Sequence, residues 1–189
     1  DEALSFVTLS LHYHTLTLGS PTSDLTIENA IIMSQIGEGI STGEADLILN
    51  KSQTISGAGS ITSTGGIISL QEGGELSGSG ILDVSGSTWT LGGDFEKSNG
   101  TLTMSGTTLK LEDNSTLTSD EALNFVNLNL NDYALTLGSS TSDLTVQNTI
   151  TIDASTEGIS TGGADLTLLA SINISNGYVT STGGIISLL

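Results

Sequence analysis

The sequence contains no cysteine and no arginine, it has a single proline, and aromatic residues make up 4% of its 189 positions. Without cysteine there are no disulfides, no thiolate zinc site and no thiol catalysis. Only 3 lysines accompany 21 acidic residues, so the formal net charge is −18. Such a chain repels phosphate, which argues against binding to nucleic acids or anionic membranes. No run of 18 apolar residues occurs, so no membrane insertion is predicted.

Serine, threonine and glycine fill the chain instead. There are 28 serines, 27 threonines and 24 glycines. Strong acidity with few aromatic residues is one signature of disorder. Here, however, 36% of the residues are apolar, and they recur at regular spacing. That regularity predicts a folded, repetitive structure.

A long repeat dominates the sequence. The segment DEALSFVTLSL at 1–11 recurs as DEALNFVNLNL at 120–130, and 33 of the first 59 positions are identical at this offset of 119. One residue is then lost, and TSTGGIISL at 62–70 reappears at 180–188. Self-similarity at a fixed period is typical of repeat arrays. We therefore expect one continuous solenoid over 1–189, with a long repeat at 1–119 and an incomplete second copy at 120–189.

A shorter period lies inside the long one. It is a four-residue unit with apolar residues at its second and fourth positions, and alternation of this kind predicts strand, not helix. Successive units start 16 to 22 residues apart, about 20 on average, so that six steps make up 119 residues. The ten units begin at Thr8, Asp24, Asp46, Ile67, Thr88, Thr108, Asn127, Asp143, Asp165 and Ile185.

Each step holds three short strand signals separated by glycine-containing turns, where glycine supplies the positive φ that corners need. Three strands and three corners in about 20 residues predict one coil of a parallel β-helix. The sequence thus predicts an all-β solenoid of about nine to ten coils. We expect a right-handed coil, because left-handed β-helices follow a stricter six-residue pattern. Coils stacked ~4.8 Å apart give a rod of roughly 43 Å, with Trp89 as an inward core residue.

The sequence begins and ends inside the repeat pattern, without a polar cap. We therefore expect further copies of the same repeat in a longer parent chain, with end-to-end or lateral self-association of the rods. Open strand ladders at uncovered ends would otherwise invite aggregation.

Glycine- and hydroxyl-rich coils with a Leu-x-Leu ladder, such as Thr8–Leu11 and Asn127–Leu130, resemble the β-helical repeats of large bacterial surface proteins. These are adhesins of the filamentous-haemagglutinin kind and autotransporter passengers. The likeness covers the whole chain but contains no family-specific motif. It implies an extracellular, cell-surface location and a structural or adhesive rod acting as a stalk, fibre or surface layer. A polysaccharide- or surface-binding β-helix module is the alternative.

Catalytic signals are weak, and we expect no enzyme activity. Paired carboxylates serve glycosidases, but the available pairs lie in or near turns, where solvated acids are ordinary. They are Glu72/Glu75, Asp94/Glu96 and Glu112/Asp113. His12 and His14 would share one face of a strand, where they could hold a transition metal. The second copy has Asn131 and Tyr133 at these positions, which favours an exposed strand edge without a metal.

The most specific site hypothesis concerns four aspartates and calcium. Asp24 and Asp46 occupy the same position of the unit 22 residues apart, as do Asp143 and Asp165 in the second copy. Stacked coils would bring each pair's backbones to ~4.8 Å, where repulsion between two carboxylates costs on the order of 1–3 kcal/mol. Calcium prefers such oxygen ligands. The alternative is that each carboxylate accepts a hydrogen bond from a neighbouring turn amide. No other cofactor is predicted.

Thermal melting tests the calcium hypothesis. If calcium bridges these aspartates, millimolar calcium raises the melting temperature relative to chelator, because a ligand that binds only the folded state stabilises it. The variants Asp46→Asn and Asp165→Asn should abolish that rise. A melting temperature of the parent chain that is the same in calcium and in chelator would rule the site out.

Overall fold

A computed structural model describes residues 3–189. The chain forms an all-β solenoid of about nine turns, with parallel strands stacked about 21 residues apart. No helix occurs between residues 3 and 189, and hence none long and apolar enough to cross a membrane. The predicted fold class is therefore confirmed.

The strands are short, two to five residues each, because every coil turns three corners within about 21 residues. In chain order they are β1 Leu4–Phe6, β2 Thr15–Thr17, β3 Leu25–Ile27, β4 Ile32–Met33, β5 Gly39–Gly43, β6 Leu47–Leu49, β7 Gln53–Ile55, β8 Ser60–Ser63, β9 Ile67–Leu70, β10 Gly74–Leu76, β11 Ile81–Asp83, β12 Thr88–Leu91, β13 Phe95–Lys97, β14 Thr101–Thr103, β15 Thr108–Leu111, β16 Ser115–Ser119, β17 Leu123–Phe125, β18 Asn127–Asn129, β19 Ala134–Leu137, β20 Leu144–Val146, β21 Ile150–Ile152, β22 Gly158–Ser160, β23 Leu166–Leu168, β24 Ile172–Ile174, β25 Tyr178–Thr180 and β26 Ile186–Leu188.

The solenoid has three faces, which the chain visits in a fixed order. Face 1 begins as the seven-stranded sheet β1-β3-β6-β9-β12-β15-β18, face 2 is the eight-stranded sheet from β4 to β25, and face 3 begins as the five-stranded sheet from β2 to β14. After β16 on face 2 the chain enters β17, so the four-stranded sheet β17-β20-β23-β26 continues face 3. The pair β21-β24 then continues face 1. Only face 2 is one uninterrupted sheet from β4 to β25.

The core is a stack of inward side chains along the axis. On face 1 the register places Leu47, Ile68, Trp89 and Leu109 directly above one another, and all four are fully buried. Burying a side chain of this size contributes about 1.5–3 kcal/mol. The Trp89 ring meets the Phe95 ring edge-on at 5.0 Å between centroids, which confirms Trp89 as a core residue.

Corners depend on residues that tolerate positive φ. At Gly57 (φ 58°) a Cβ would collide with the carbonyl oxygen of Ser34 in the coil below. His12 and Tyr13 also adopt positive φ, 45° and 66°. They form a turn before β2, so the prediction that His12 and His14 share one face of a strand is wrong. Asn131 and Asp132 adopt the same turn in the second copy.

The predicted ladder of ten units is wrong at two steps. Thr8–Leu11 was expected beneath the unit at Asp24, but Leu4 pairs with Leu25 at a spacing of 21 residues. The sequence offers two apolar-x-apolar segments in succession, at 4–6 and 9–11. A spacing of 16 residues is too short to complete a coil, so the first segment pairs instead. The equivalent of the second segment, β18, lies on the face that follows β17. In the second copy, Leu123 pairs with Leu144 in the same way.

The long repeat therefore spans about five and two-thirds coils, not the six that the sequence predicted. Homologous strands in the two copies lie on different faces. The neighbouring strands β1-β3-β6 on face 1 correspond to β17-β20-β23 on face 3. The neighbouring strands β2-β5-β8 on face 3 correspond to β19-β22-β25 on face 2. Likewise β4-β7 on face 2 correspond to β21-β24 on face 1. The same sequence thus forms the same pairs after rotation by one face.

Disulfide trapping in this cysteine-free chain tests the register. Asn124 lies opposite Thr145, whereas the sequence ladder would place Asn129 there. The double variant Asn124→Cys/Thr145→Cys should form a disulfide on oxidation, because paired strands lie within the Cα range for a disulfide, about 4.4–6.8 Å. Intact mass and non-reducing electrophoresis report the bond.

Two matched variants complete this experiment. Asn129→Cys/Thr145→Cys should stay reduced, and Lys110→Cys/Asn129→Cys should cross-link, since Lys110 and Asn129 are paired. Cross-linking of Asn129→Cys with Thr145→Cys in place of the expected pair would contradict the face shift.

Candidate functional site: acidic side chains between coils

The four predicted aspartates lie directly before strands and connect successive coils. Oδ1 of Asp24 accepts a hydrogen bond from the amide of Asp46 at 3.0 Å, and Oδ1 of Asp46 accepts one from the amide of Ile67 at 2.7 Å. The same contacts recur in the second copy, from Asp165 to Asp143 at 2.8 Å and from Ile185 to Asp165 at 2.7 Å. Each carboxylate therefore caps the amide at, or one residue before, the start of the corresponding strand one coil further along.

The backbone of these aspartates points the other way. The carbonyl of Asp24 accepts the amide of Leu4 at 2.7 Å, and that of Asp46 accepts the amide of Leu25 at 2.9 Å. Each aspartate thus bonds the coil below through its carbonyl and the coil above through its carboxylate. One carboxylate oxygen of each is engaged by an amide, which is the alternative that the sequence left open.

Calcium at these aspartates stays a prediction. Within residues 3–189 no group of three or more His, Asp or Glu side chains is arranged to hold a metal ion. The substitution Asp46→Asn keeps an oxygen that can accept the Ile67 amide while removing the charge. It therefore separates metal binding from amide capping.

Two further side chains make the same contact on face 2. Oδ1 of Asp94 accepts the amide of Thr116 at 2.6 Å, and Oδ1 of Asn114 accepts the amide of Ala134 at 2.9 Å. Their spacing in the sequence does not resemble that of the four aspartates, because they lie at a different corner. Sequence reasoning missed them for that reason.

A second carboxylate motif, also missed, closes the corner between β4 and β5 in the first copy and the corner between β21 and β22 in the second. Oε2 of Glu38 accepts the amides of Ser34 and Gln35, both at 3.0 Å. Its counterpart Glu157 accepts those of Asp153 and Ala154 at 2.7 and 3.2 Å. Glu157 also reaches the coil below, where the amide of Asp132 donates to Oε1 at 3.1 Å.

The usable signal for this motif lay in the internal repeat. The loops at 32–37 and 151–156 differ at every position, yet the glutamate and the Gly-Ile-Ser-Thr-Gly segment after it are identical. Identity directly after a loop that differs at every position is a signal for a structural role of the glutamate. A comparison of the two copies position by position identifies it.

These amides lower the pKa of both glutamates. The amides of Gln35 and Ser34 hold the pKa of Glu38 below its ordinary value, against a smaller effect of burial. Burial raises the pKa of Glu157, whose side chain is 6% exposed, but the amides of Asp153, Asp132 and Ala154 together outweigh it. The net pKa of Glu157 is lowered, so its charged form stabilises the fold.

All three lysines are paired with acids. Lys51 contacts Glu72 one coil away, and Lys110 lies 3.4 Å from Glu112. Lys97 points inward on face 2, is 3% exposed, and contacts Asp120 and, at 3.3 Å, Glu121. The pairs of Lys51 and Lys97 tie neighbouring coils together, whereas Lys110 and Glu112 belong to the same coil. The predicted pair partners Glu72 and Glu112 are therefore engaged in structural contacts.

A shallow cavity of about 320 Å³ runs along face 2 across several coils. The predicted pair Asp94/Glu96 and Glu75 of the pair Glu72/Glu75 line it together, because Glu75 and Glu96 are adjacent in the register. Hydroxyl residues form most of the remaining wall, including Ser52, Thr54, Thr116 and Thr118. The structure thus joins members of two predicted pairs, while Asp113 lies elsewhere and accepts the amide of Asn114.

Comparison with known proteins finds no match: no family model, no curated protein and no solved structure aligns with the chain.

The pH dependence of stability tests the glutamate motif. A carboxylate with a lowered pKa in the folded state stabilises the fold above its unfolded pKa of about 4.3. That stability is lost as the pH falls through the folded value. Glu157→Gln should therefore lower the free energy of unfolding by about 1–3 kcal/mol at pH 7, and the difference from the parent chain should shrink towards pH 3.

The exposed Glu96→Gln is the matched control for charge, since both variants remove one negative charge and Glu96 has no contact with a corner amide in the described structure. Denaturant unfolding at pH 7, 5 and 3 measures all three proteins. A Glu157→Gln deficit that stays constant from pH 7 to pH 3 would contradict the proposed role of the charge.

Proposed function

We propose that this chain is a structural rod segment of a large, repetitive extracellular protein of the bacterial cell surface, serving as a stalk, fibre or surface layer. The observation that carries the proposal is the long repeat itself. Its two copies form the same strand pairs although the second copy is rotated by one face relative to the first. A further unit can therefore be added to the stack in its rotated position. Such a unit extends a rod without changing its design, and stability becomes a sum over neighbouring coils.

The surface supports the same role. Outward positions are mostly serine and threonine, and the charge of −18 on 189 residues keeps rods soluble and apart from one another at low salt. Carboxylates at the corners satisfy backbone amides. These acidic residues therefore have a structural role in stacking the coils, which explains their presence without a ligand.

Binding of a neutral polysaccharide is the second candidate function, favoured by the cavity on face 2. Hydroxyls and the carboxylates of Glu75, Asp94 and Glu96 line a path along the rod axis, where they are placed to hydrogen-bond sugar hydroxyls. Calorimetric titration with neutral glucans and mannans tests it. Loss of binding in Glu75→Gln/Glu96→Gln supports this candidate, and absence of binding by the parent chain ends it.

Small-angle X-ray scattering tests the rod. Each 119-residue unit added in tandem should lengthen the particle by about 27 Å, five and two-thirds coils at ~4.8 Å, with an unchanged cross-section. The pair-distance distributions of the chain with no, one and two added units report both quantities. Growth in all three dimensions, as in a compact globule, would contradict the proposal.

A further inference from the structure

The strand ladders are interrupted at the coil in which the second copy starts, the coil of β16, β17 and β18. On face 3, β14 is the last strand of one sheet and β17 the first strand of the next, so these two strands are not paired. One coil further along, the same holds on face 1 for β18 and β21. This coil is therefore paired through two faces on each side, whereas the coil of β10, β11 and β12 is paired through all three.

The length of one corner explains the interruption. In this coil only Val126 separates β17 from β18. The corresponding corner has four residues, 104–107, in the coil below and three, 147–149, in the coil above. Strands on face 1 therefore start 19 residues apart from Thr108 to Asn127, and 23 apart from Asn127 to Ile150. Two strands joined by a single residue cannot both follow neighbours with longer corners, so one ladder is lost on each side.

Packing is looser at the interruption on face 3. The amide of Asn124 in β17 donates to the sulfur of Met104 at 3.3 Å, and a thioether is a weaker acceptor than a backbone carbonyl. Leu102 and Met104 are both 8% exposed, whereas Leu82 and Leu109 are fully buried. A cavity of about 240 Å³ lies at this point, lined by Met104, Ser105, Gly106, Asn124 and Gln147.

Lys97 holds the chain where it enters the interrupted part of face 3. Residues 120–122 lead from β16 on face 2 to β17 on face 3. The carbonyl of Lys97 accepts the amide of Asp120 at 3.1 Å, and its ammonium contacts the carboxylates of Asp120 and, at 3.3 Å, Glu121. Since Lys97 belongs to the coil below, these contacts connect two coils next to the place where β14 and β17 are not paired.

We propose that the coil of β16, β17 and β18 is a flexible joint of the rod. β17 separates from β14 and β18 from β21, while face 2, which is paired without interruption from β4 to β25, acts as the hinge. Lys97 limits this opening. Segments held by few backbone hydrogen bonds and contacts open locally at the lowest free energy. The proposal goes beyond the rod function, because it says where such a rod bends.

Hydrogen–deuterium exchange followed by mass spectrometry locates the joint in the parent chain. Peptides that cover 101–106 and 120–130 should exchange about tenfold faster than peptides that cover 74–90, because a missing backbone hydrogen bond is worth roughly a factor of ten in the opening equilibrium. All of these segments lie in the interior of the chain. Fraying would raise exchange only towards residues 3 and 189 and would not produce a local maximum at 101–130.

The variant Lys97→Met tests the role of the lysine. It removes the ammonium but keeps an unbranched side chain in the core, and Asp120 and Glu121, whose side chains are 42% and 48% exposed, stay in contact with water. Exchange at 120–130 should rise by a further factor of about three. Lys51→Met is the matched control, because the contact of Lys51 with Glu72 joins coils that are paired on all three faces. It should leave exchange at 120–130 unchanged.

Circular dichroism establishes that both variants are folded, and Lys97→Gln replaces Lys97→Met if the latter is not. Equal protection of 101–106, 120–130 and 74–90 in the parent chain would overturn the joint. Exchange at 120–130 that is unaffected by Lys97→Met, or raised as much by Lys51→Met, would overturn the role of Lys97. None of these results alters the scattering expected of tandem units, so a failure here is distinguishable from a failure of the rod function.

Discussion

The hydrogen bonds between the backbones of successive coils fix the spacing of the coils and thereby determine which residues can occupy the corners. Parallel strands at ~4.8 Å leave no space for a side chain between coils, so corners demand glycine where a Cβ would strike the coil below, as at Gly57. The same constraint leaves amides at the start of strands without a partner in their own coil. Asp24, Asp46 and Asp94 supply that partner from the coil before.

The need for hydrogen-bond acceptors at these corners explains why the chain has many acidic residues and only three lysines. A carboxylate is a hydrogen-bond acceptor only, and the open groups at these corners are donors. Placing Asp or Glu there stabilises the amide and the charge together, as in the lowered pKa of Glu157. Lysine is used where two coils are tied by their side chains, as Lys97 does with Asp120 and Glu121.

Much of the fold could be predicted from the sequence. Alternation of apolar and polar residues and glycine-containing corners are local signals, which can be recognised without knowing which coils lie next to each other. The register at the start of each copy could not. Two apolar-x-apolar segments follow one another at 4–11, and only the length needed to close a coil decides which of them pairs with Leu25. The contact of Asp94 could not be predicted for the same reason: that its carboxylate meets the amide of Thr116 depends on a register that spacing alone does not give. The repeated Glu38 and Glu157 were the exception, since the two copies could have been compared directly.

The rotation by one face makes the long repeat a screw element. In a rod built from such units, three of them, about 17 coils, would return a given residue to its original side, and a patch carried by every unit would wind helically around the axis. All sides of such a rod would present the same patch equally often. A neighbouring surface, whatever its approach, meets one unit in three in the same orientation. In such a rod, equivalent side chains would recur at intervals of roughly 80 Å along each side.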